Sequence, residues 1–210
     1  MVITKITQLI EYLASRFSLL YYLSMLYYRG MVRREVELAH ITEDDHVLVV
    51  GGGPCPHTAI LIHKLTGATV TVVDNDFLCV KASIRLIDRL GLWGKVRVLH
   101  RNGQNLSTEH YSVIVLALQL SPKVEIIRSM ERQAKPGDRI LIRLAKDCLA
   151  DLYSPVNQSQ FSSLPTVEHS QFTNVEQTVL YQVKVKSNEK ETDKNNLYSS
   201  PAYPAHALVG

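Results

Sequence analysis

The stretch HVLVVGGGPCPHT, residues 46–58, decides the fold. Its aliphatic run forms a buried strand, Gly51, Gly52 and Gly53 turn the chain, and TAILIHKLTG (58–67) has the length and composition of a helix. Glycine permits positive φ and lets a ligand approach the main chain, while the start of the next helix offers unpaired N–H groups. A second β-branched run, ATVTVVD (68–74), leads into Asp74-Asn75-Asp76. An acid about 20 residues beyond such a turn is placed to accept hydrogen bonds from ribose hydroxyls. Strand, turn, helix and Asp74 together describe a nucleoside-binding α/β unit.

Outward from this unit the same rhythm continues. KVRVLH (95–100), YSVIVLAL (111–118) and DRILIRLA (138–145) are three more strands, and FLCVKASIRLIDRLG (77–91) and PKVEIIRSMERQAKPG (122–137) are the intervening helices. Near-continuous apolar strands separated by helices predict a doubly wound, mostly parallel α/β sheet. VEHSQF (167–172) and EQTVLYQVKVK (176–186) alternate apolar with polar and add two strands, one expected antiparallel at an edge, for a seven-stranded Rossmann-like sheet. Upstream, Ile3, Ile6, Leu9, Ile10, Leu13 and Phe17 recur at helical spacing. The expected division is a small helical cap (1–45), the sheet domain (46–186) and a flexible tail without periodicity (187–210).

Composition narrows the class. Over 210 residues, 46% hydrophobic and 20% charged content exclude wholesale disorder and allow a sizeable core. A net charge of +3, from 23 basic and 20 acidic residues, is too balanced for a nucleic-acid partner. Cys55, Cys79 and Cys148 lack disulfide or CxxC spacing, which fits a reducing cytoplasm, and the eight histidines lack metal-ligand spacing, so no metal is expected. The apolar run FSLLYYLSMLYY (17–28) is too short for stable membrane insertion and reads as a buried helix, or else a helix lying on a membrane surface.

The glycine turn also speaks to the ligand. It lacks the third glycine of a dinucleotide fingerprint and the G-K-S/T of a P-loop, and Pro54 and Pro56 remove two N–H donors that would hold phosphate. A nucleoside without phosphate fits better, and S-adenosylmethionine is the common one on this architecture. Methyltransferase-type domains of that class also end their sheet with a strand pair. The usual acid two residues before the first glycine is replaced by Val49, and the turn after the third strand carries Asn102 and Gln104 as neutral candidates for the adenine edge.

The chain resembles the nicotianamine synthases and related opine-metallophore enzymes. Gly51–Thr58 match that family's turn, G-S/G-G-P-x-P-x-T, at every defined position. VIVLALQLS (113–121), with small Ala117 in the ligand-facing turn, and KPGDRILIRLAKDCLADLYSPV (135–156) are similar to later landmarks, with Arg143, Ala145, Leu152, Tyr153 and Pro155 in place and one residue inserted before Pro155. Tyr28 and Glu35 share the family's spacing of seven, and the resemblance covers roughly residues 27–186. It implies transfer of the 3-amino-3-carboxypropyl arm of S-adenosylmethionine to an amine or amino-acid acceptor, release of methylthioadenosine and a metallophore-like product. It leaves a homodimer open.

Such a reaction needs a base for the acceptor's ammonium. Glu35 has Met31, Val32, Leu38 and Ala39 at helical contact distance, so burial is expected to raise its pKa. Glu37, beside Arg33 and Arg34, reads as a solvated ion pair. Tyr28 and His57 are further catalytic candidates. Arg143 and Tyr27 are substrate contacts, the arginine at a strand's C-terminal end able to grip a carboxylate. Gly51, Gly52, Gly53, Pro54, Asp74, Asn75, Asn102, Gln104 and Ala117 form the expected cofactor site. A methyltransferase using the same cofactor, or a non-catalytic adenosyl-binding module, are the alternative functions.

Overall fold

The computed structural model describes residues 11–13 and 15–183. The expected tail, 187–210, lies outside the described residues. A long helix α1 (Ser18–Ala39) precedes β1 (His46–Val50), α2 (His57–Thr66), β2 (Thr69–Asp74), α3 (Phe77–Arg89) and β3 (Val96–His100). Then come β4 (Val113–Leu116), α4 (Lys123–Gln133), β5 (Arg139–Ala145), β6 (Thr166–Glu168) and β7 (Val175–Gln182).

The strands form one seven-stranded sheet in the order β3-β2-β1-β4-β5-β7-β6. β1 to β5 are parallel, and β7 runs antiparallel to both β5 and β6. The antiparallel strand is therefore not at the edge, as the sequence suggested. β6 is only three residues long and folds back on β7 as an outer hairpin arm.

Strand residues alternate between two cores. Val47, Val49, Val70, Val72 and Val115 pack under α1, α2 and α3, while Leu48, Val50, Ile114, Leu116, Ile140 and Ile142 pack on α4. α1 joins the first core through Tyr21, Met25, Met31, Val32 and Ala39. Its end is pinned to the sheet by Arg139, which donates to the carbonyls of Ala39 (2.6 Å) and His40 (3.1 Å) and pairs with Asp45. No helix among the described residues is long and apolar enough to cross a membrane.

The strand order reverses between β1 and β4. In open α/β sheets the crevice at the strands' carboxyl ends opens at that point, and this is where ligands bind.

Candidate active site

A cleft lies at this switch point. Its floor is the turn after β1 (Gly51, Gly52, Cys55, Pro56), its sides are the turn after β4 (Ala117, Leu118, Gln119) and the end of β5 (Arg143), and α1 with Glu11 closes it from above. Sequence-predicted Tyr28, His57, Gly51, Gly52, Ala117 and Arg143 all line it.

Sterics explain the glycines. A Cβ at Gly52 would stand 2.1 Å from Val72 Cγ1, and one at Gly53, whose φ is +64°, would stand 2.7 Å from Glu11 Oε2. Asp74 holds the turn's shape, with Oδ2 accepting from the Gly53 N–H (2.8 Å) and Oδ1 from the Asp76 N–H (2.9 Å). A carboxylate has lone pairs beyond these two. Pro54 is buried in the turn. Asn75 and Asn102 are exposed and Gln104 is half-buried, along the neighbouring ends of β2 and β3 rather than in the cleft wall. Asn102 caps its own turn by accepting from the Gln104 N–H (3.0 Å).

Glu35 is fully buried, as its apolar neighbours predicted, but its charge state is not the expected one. Burial alone would raise its pKa; the Arg143 guanidinium and the Thr178 hydroxyl outweigh that and hold the carboxyl below its ordinary range. Arg143 Nε donates to Oε1 (2.8 Å) and Nη2 to Oε2 (2.7 Å), and Thr178 adds a third bond to Oε1 (2.7 Å). Glu35 does not line the cleft. It orients Arg143, whose Nη2 also bonds Thr58 (2.9 Å) while Nη1 makes no hydrogen bond among the described residues.

The carboxyl that reaches the cleft is Glu11. Its Oε1 accepts from the Tyr28 hydroxyl (3.2 Å), and its buried Oε2 has no partner among the described residues. Burial pushes its pKa up to about 7, with the Tyr28 hydrogen bond opposing and the Asp74 charge assisting. The Tyr28 ring lies 4.7 Å from that of His57 at 17°, a stacked pair. Ser24 Oγ is hydrogen-bonded to His57 Nε2 (2.7 Å), and the Cys55 thiol lies 3.1 Å from the same ring nitrogen. Burial lowers the His57 pKa to about 4, so the imidazole is neutral and serves Tyr28 as a platform. Tyr153 and Asn174 line the outer side of the cleft, while Tyr27 meets Tyr28 edge-on at 5.0 Å and contacts Asn174 from behind without lining it.

Two buried titratable residues were not singled out from the sequence, Glu11 in the cleft and Lys123 behind its wall. Glu11 is the sole acid in the first 34 residues, a signal open to reading. Lys123 is buried, with its pKa lowered to about 7 by burial and then by the Arg143 charge. Its Nζ donates to the Leu118 carbonyl (3.3 Å) and to the Arg143 carbonyl, tying together the ends of β4 and β5. Among the described residues, no group of histidine, cysteine and acidic side chains could hold a metal.

Sheet order and cleft define the class: the fold is that of S-adenosylmethionine-dependent methyltransferases. Within that class, the chain superposes on a mutant of the nicotianamine synthase MtNAS in complex with S-adenosylmethionine, with a TM-score of 0.70 at 22% identity, covering 84% of this chain and 72% of that one. An RNA methyltransferase from Salinibacter ruber in complex with S-adenosyl-L-homocysteine gives 0.60 at 17% identity, covering 79% and 97%. In sequence, 118 residues are 32% identical to the ubiquinone/menaquinone biosynthesis C-methyltransferase UbiE of Azotobacter vinelandii, 52% of this chain and 46% of the relative. Another 25% identity over 112 residues links it to an L-histidine 2-aminobutanoyltransferase of Yersinia pestis, 53% and 42%. The chain thus spans about half the length of the curated relatives it matches. No family model matches it.

Proposed function

We propose that this chain transfers the 3-amino-3-carboxypropyl group of S-adenosylmethionine to the amine of a small acceptor, with Glu11 as the base. The observation that carries the reading is the pairing, in one cleft, of a proton-accepting carboxyl near neutrality with an arginine edge that has no hydrogen-bond partner among the described residues. The fold shared with a nicotianamine synthase and the sequence likeness to an aminobutanoyltransferase support it.

In this reading Gly51, Gly52, Gly53, Pro54 and Ala117 give the adenosyl group room, Asp74 with Asn75 takes the ribose hydroxyls, and Asn102 and Gln104 serve the adenine edge. Arg143 Nη1 holds the carboxylate of the arm. Glu11 takes a proton from the acceptor's ammonium, and Tyr28 orients that carboxyl. The freed nitrogen lone pair attacks the arm's carbon next to sulfur. The C–S bond breaks, its electrons stay on sulfur, and methylthioadenosine leaves. Methylthioadenosine is the leaving group because the nucleophile meets the arm's carbon, not the methyl, in line.

Glu35 enters as the residue that orients Arg143, Tyr27 as an acceptor contact, and His57 as the platform for Tyr28. The acceptor is a small amine or amino acid, the setting is cytoplasmic, and the product is metallophore-like.

The test is the by-product. Incubation with S-adenosylmethionine and a panel of amines and amino acids, read by mass spectrometry, is expected to yield methylthioadenosine. S-adenosylhomocysteine instead would make the chain a methyltransferase.

A further inference from the structure

α1 has two apolar faces, and the core uses only one. Tyr21, Met25, Met31, Val32 and Ala39 point inward. On the opposite side, at spacings of three and four, Leu19 (71% exposed), Tyr22 (65%), Leu23 (54%) and Leu26 (66%) stand in the open, and Phe17 (56%) extends the strip. A helix apolar all round calls for a second apolar environment. A contiguous exposed patch of this kind marks an interaction surface.

Charge selects the partner. Among residues 16–39 the exposed charged side chains beside the strip are Arg16, Arg29, Arg33 and Arg34, the last also donating to the Glu168 carbonyl (2.9 Å); the first acid on the helix's outer face is Glu37, at its far end and paired to Arg33 (3.5 Å). A second copy of the chain docked strip to strip would bring these arginines against one another. An anionic bilayer surface matches both halves of the pattern, apolar side chains entering the acyl boundary and arginines meeting lipid phosphates.

We propose that the outer face of α1, residues 17–34, is a docking surface for an anionic lipid bilayer, on which the helix lies without crossing. The cleft sits beneath the inner face of the same helix, so docking leaves the Gly51–Pro56 turn unobstructed. This proposal is independent of which group the enzyme transfers.

Flotation of the full chain with phosphatidylcholine vesicles and with vesicles half phosphatidylglycerol tests it, alongside light scattering in solution. The chain should float with the anionic vesicles, at least tenfold more than with neutral ones, and 0.5 M salt should weaken that binding. Leu19→Asp with Leu23→Asp should abolish flotation while S-adenosylmethionine affinity, measured by calorimetry, stays within about twofold. Equal flotation with both vesicle types would overturn the charge argument. Absence of flotation would overturn the whole proposal: a dimer dissociated by the two substitutions would assign the strip to a second copy, and a monomer would leave it to the chain's own remaining segments.

Discussion

At the residue scale, Glu11 and Glu35 are two buried acids with opposite fates. Glu35 has a fixed cation at 2.7 Å and stays ionised; Glu11 has a tyrosine hydroxyl and, among the described residues, one oxygen without a partner. Glu11→Gln keeps the shape and removes the basicity, so turnover should fall by about 10²–10⁴. Cofactor affinity should hold, and the wild-type rate should climb with pH around a midpoint near 7. Stability should carry the same signature. Because the folded-state pKa of Glu11 lies above its ordinary 4.5, its stabilising contribution is complete below that pH and is lost as pH rises through about 7. Urea melts at pH 4.5 and pH 8 should therefore show a larger pH loss in the wild type than in Glu11→Gln, where Glu131, also pushed up to about 7 by burial, still contributes. Glu35→Gln should instead cost about 3–5 kcal/mol at neutral pH, since it leaves the Arg143 charge buried without its counterion. A small stability loss in that melt would remove the pair from the core. The burial of Glu35 was legible from Met31, Val32, Leu38 and Ala39, but the sign of its pKa shift was not, because the deciding partner lies 108 residues away. Glu11 was hidden by geometry. On one continuous helix, residues 17 apart would be separated by about 25 Å. The contact with Tyr28 exists because Phe17, at φ −108° and ψ 118°, breaks the helix.

At the element scale, the turn after β1 works by exclusion. Gly52 is close-packed on Val72 of β2, so Gly52→Ala forces the turn away from the sheet and should cost about 1–3 kcal/mol. It should weaken S-adenosylmethionine binding in parallel. Adding Val72→Ala opens the occupied space, and thermal melts should show a substantial part of the loss restored; no recovery would mean that the backbone, not the Val72 methyl, sets the limit. The turn, its strand and its helix were legible because glycine, proline and β-branched residues act locally. So were β1, β4 and β5, whose apolar runs are near-continuous, and β2 and β3, whose valines alternate with polar residues. The placement of β7 inside the sheet was not, since an alternating strand reads the same beside β5 or at an edge. Lys123 escaped notice for a related reason. A lysine opening a helix is usually solvated, and its burial depends on two carbonyls brought together only by β4 and β5.

At the scale of the whole molecule, donor binding should be visible as stability. S-adenosylmethionine at about 100 times its Kd should add about 2.7 kcal/mol to unfolding, a shift of the thermal midpoint that Asp74→Ala should reduce. An unchanged midpoint at millimolar cofactor would count against the cleft as the donor site. The two halves of the cleft also have separate origins in the chain. The turn after β1, the turn after β4 and the end of β5 are locked into the sheet's hydrogen bonding, whereas Glu11, Tyr28 and Met31 arrive on the segment before β1. A duplicated copy of this chain could therefore drift in what it modifies while inheriting unchanged the means by which it is charged with its reagent. In the proposed reaction, new acceptors would be acquired by editing Glu11 and the inner face of α1, which supply cleft residues without belonging to any strand.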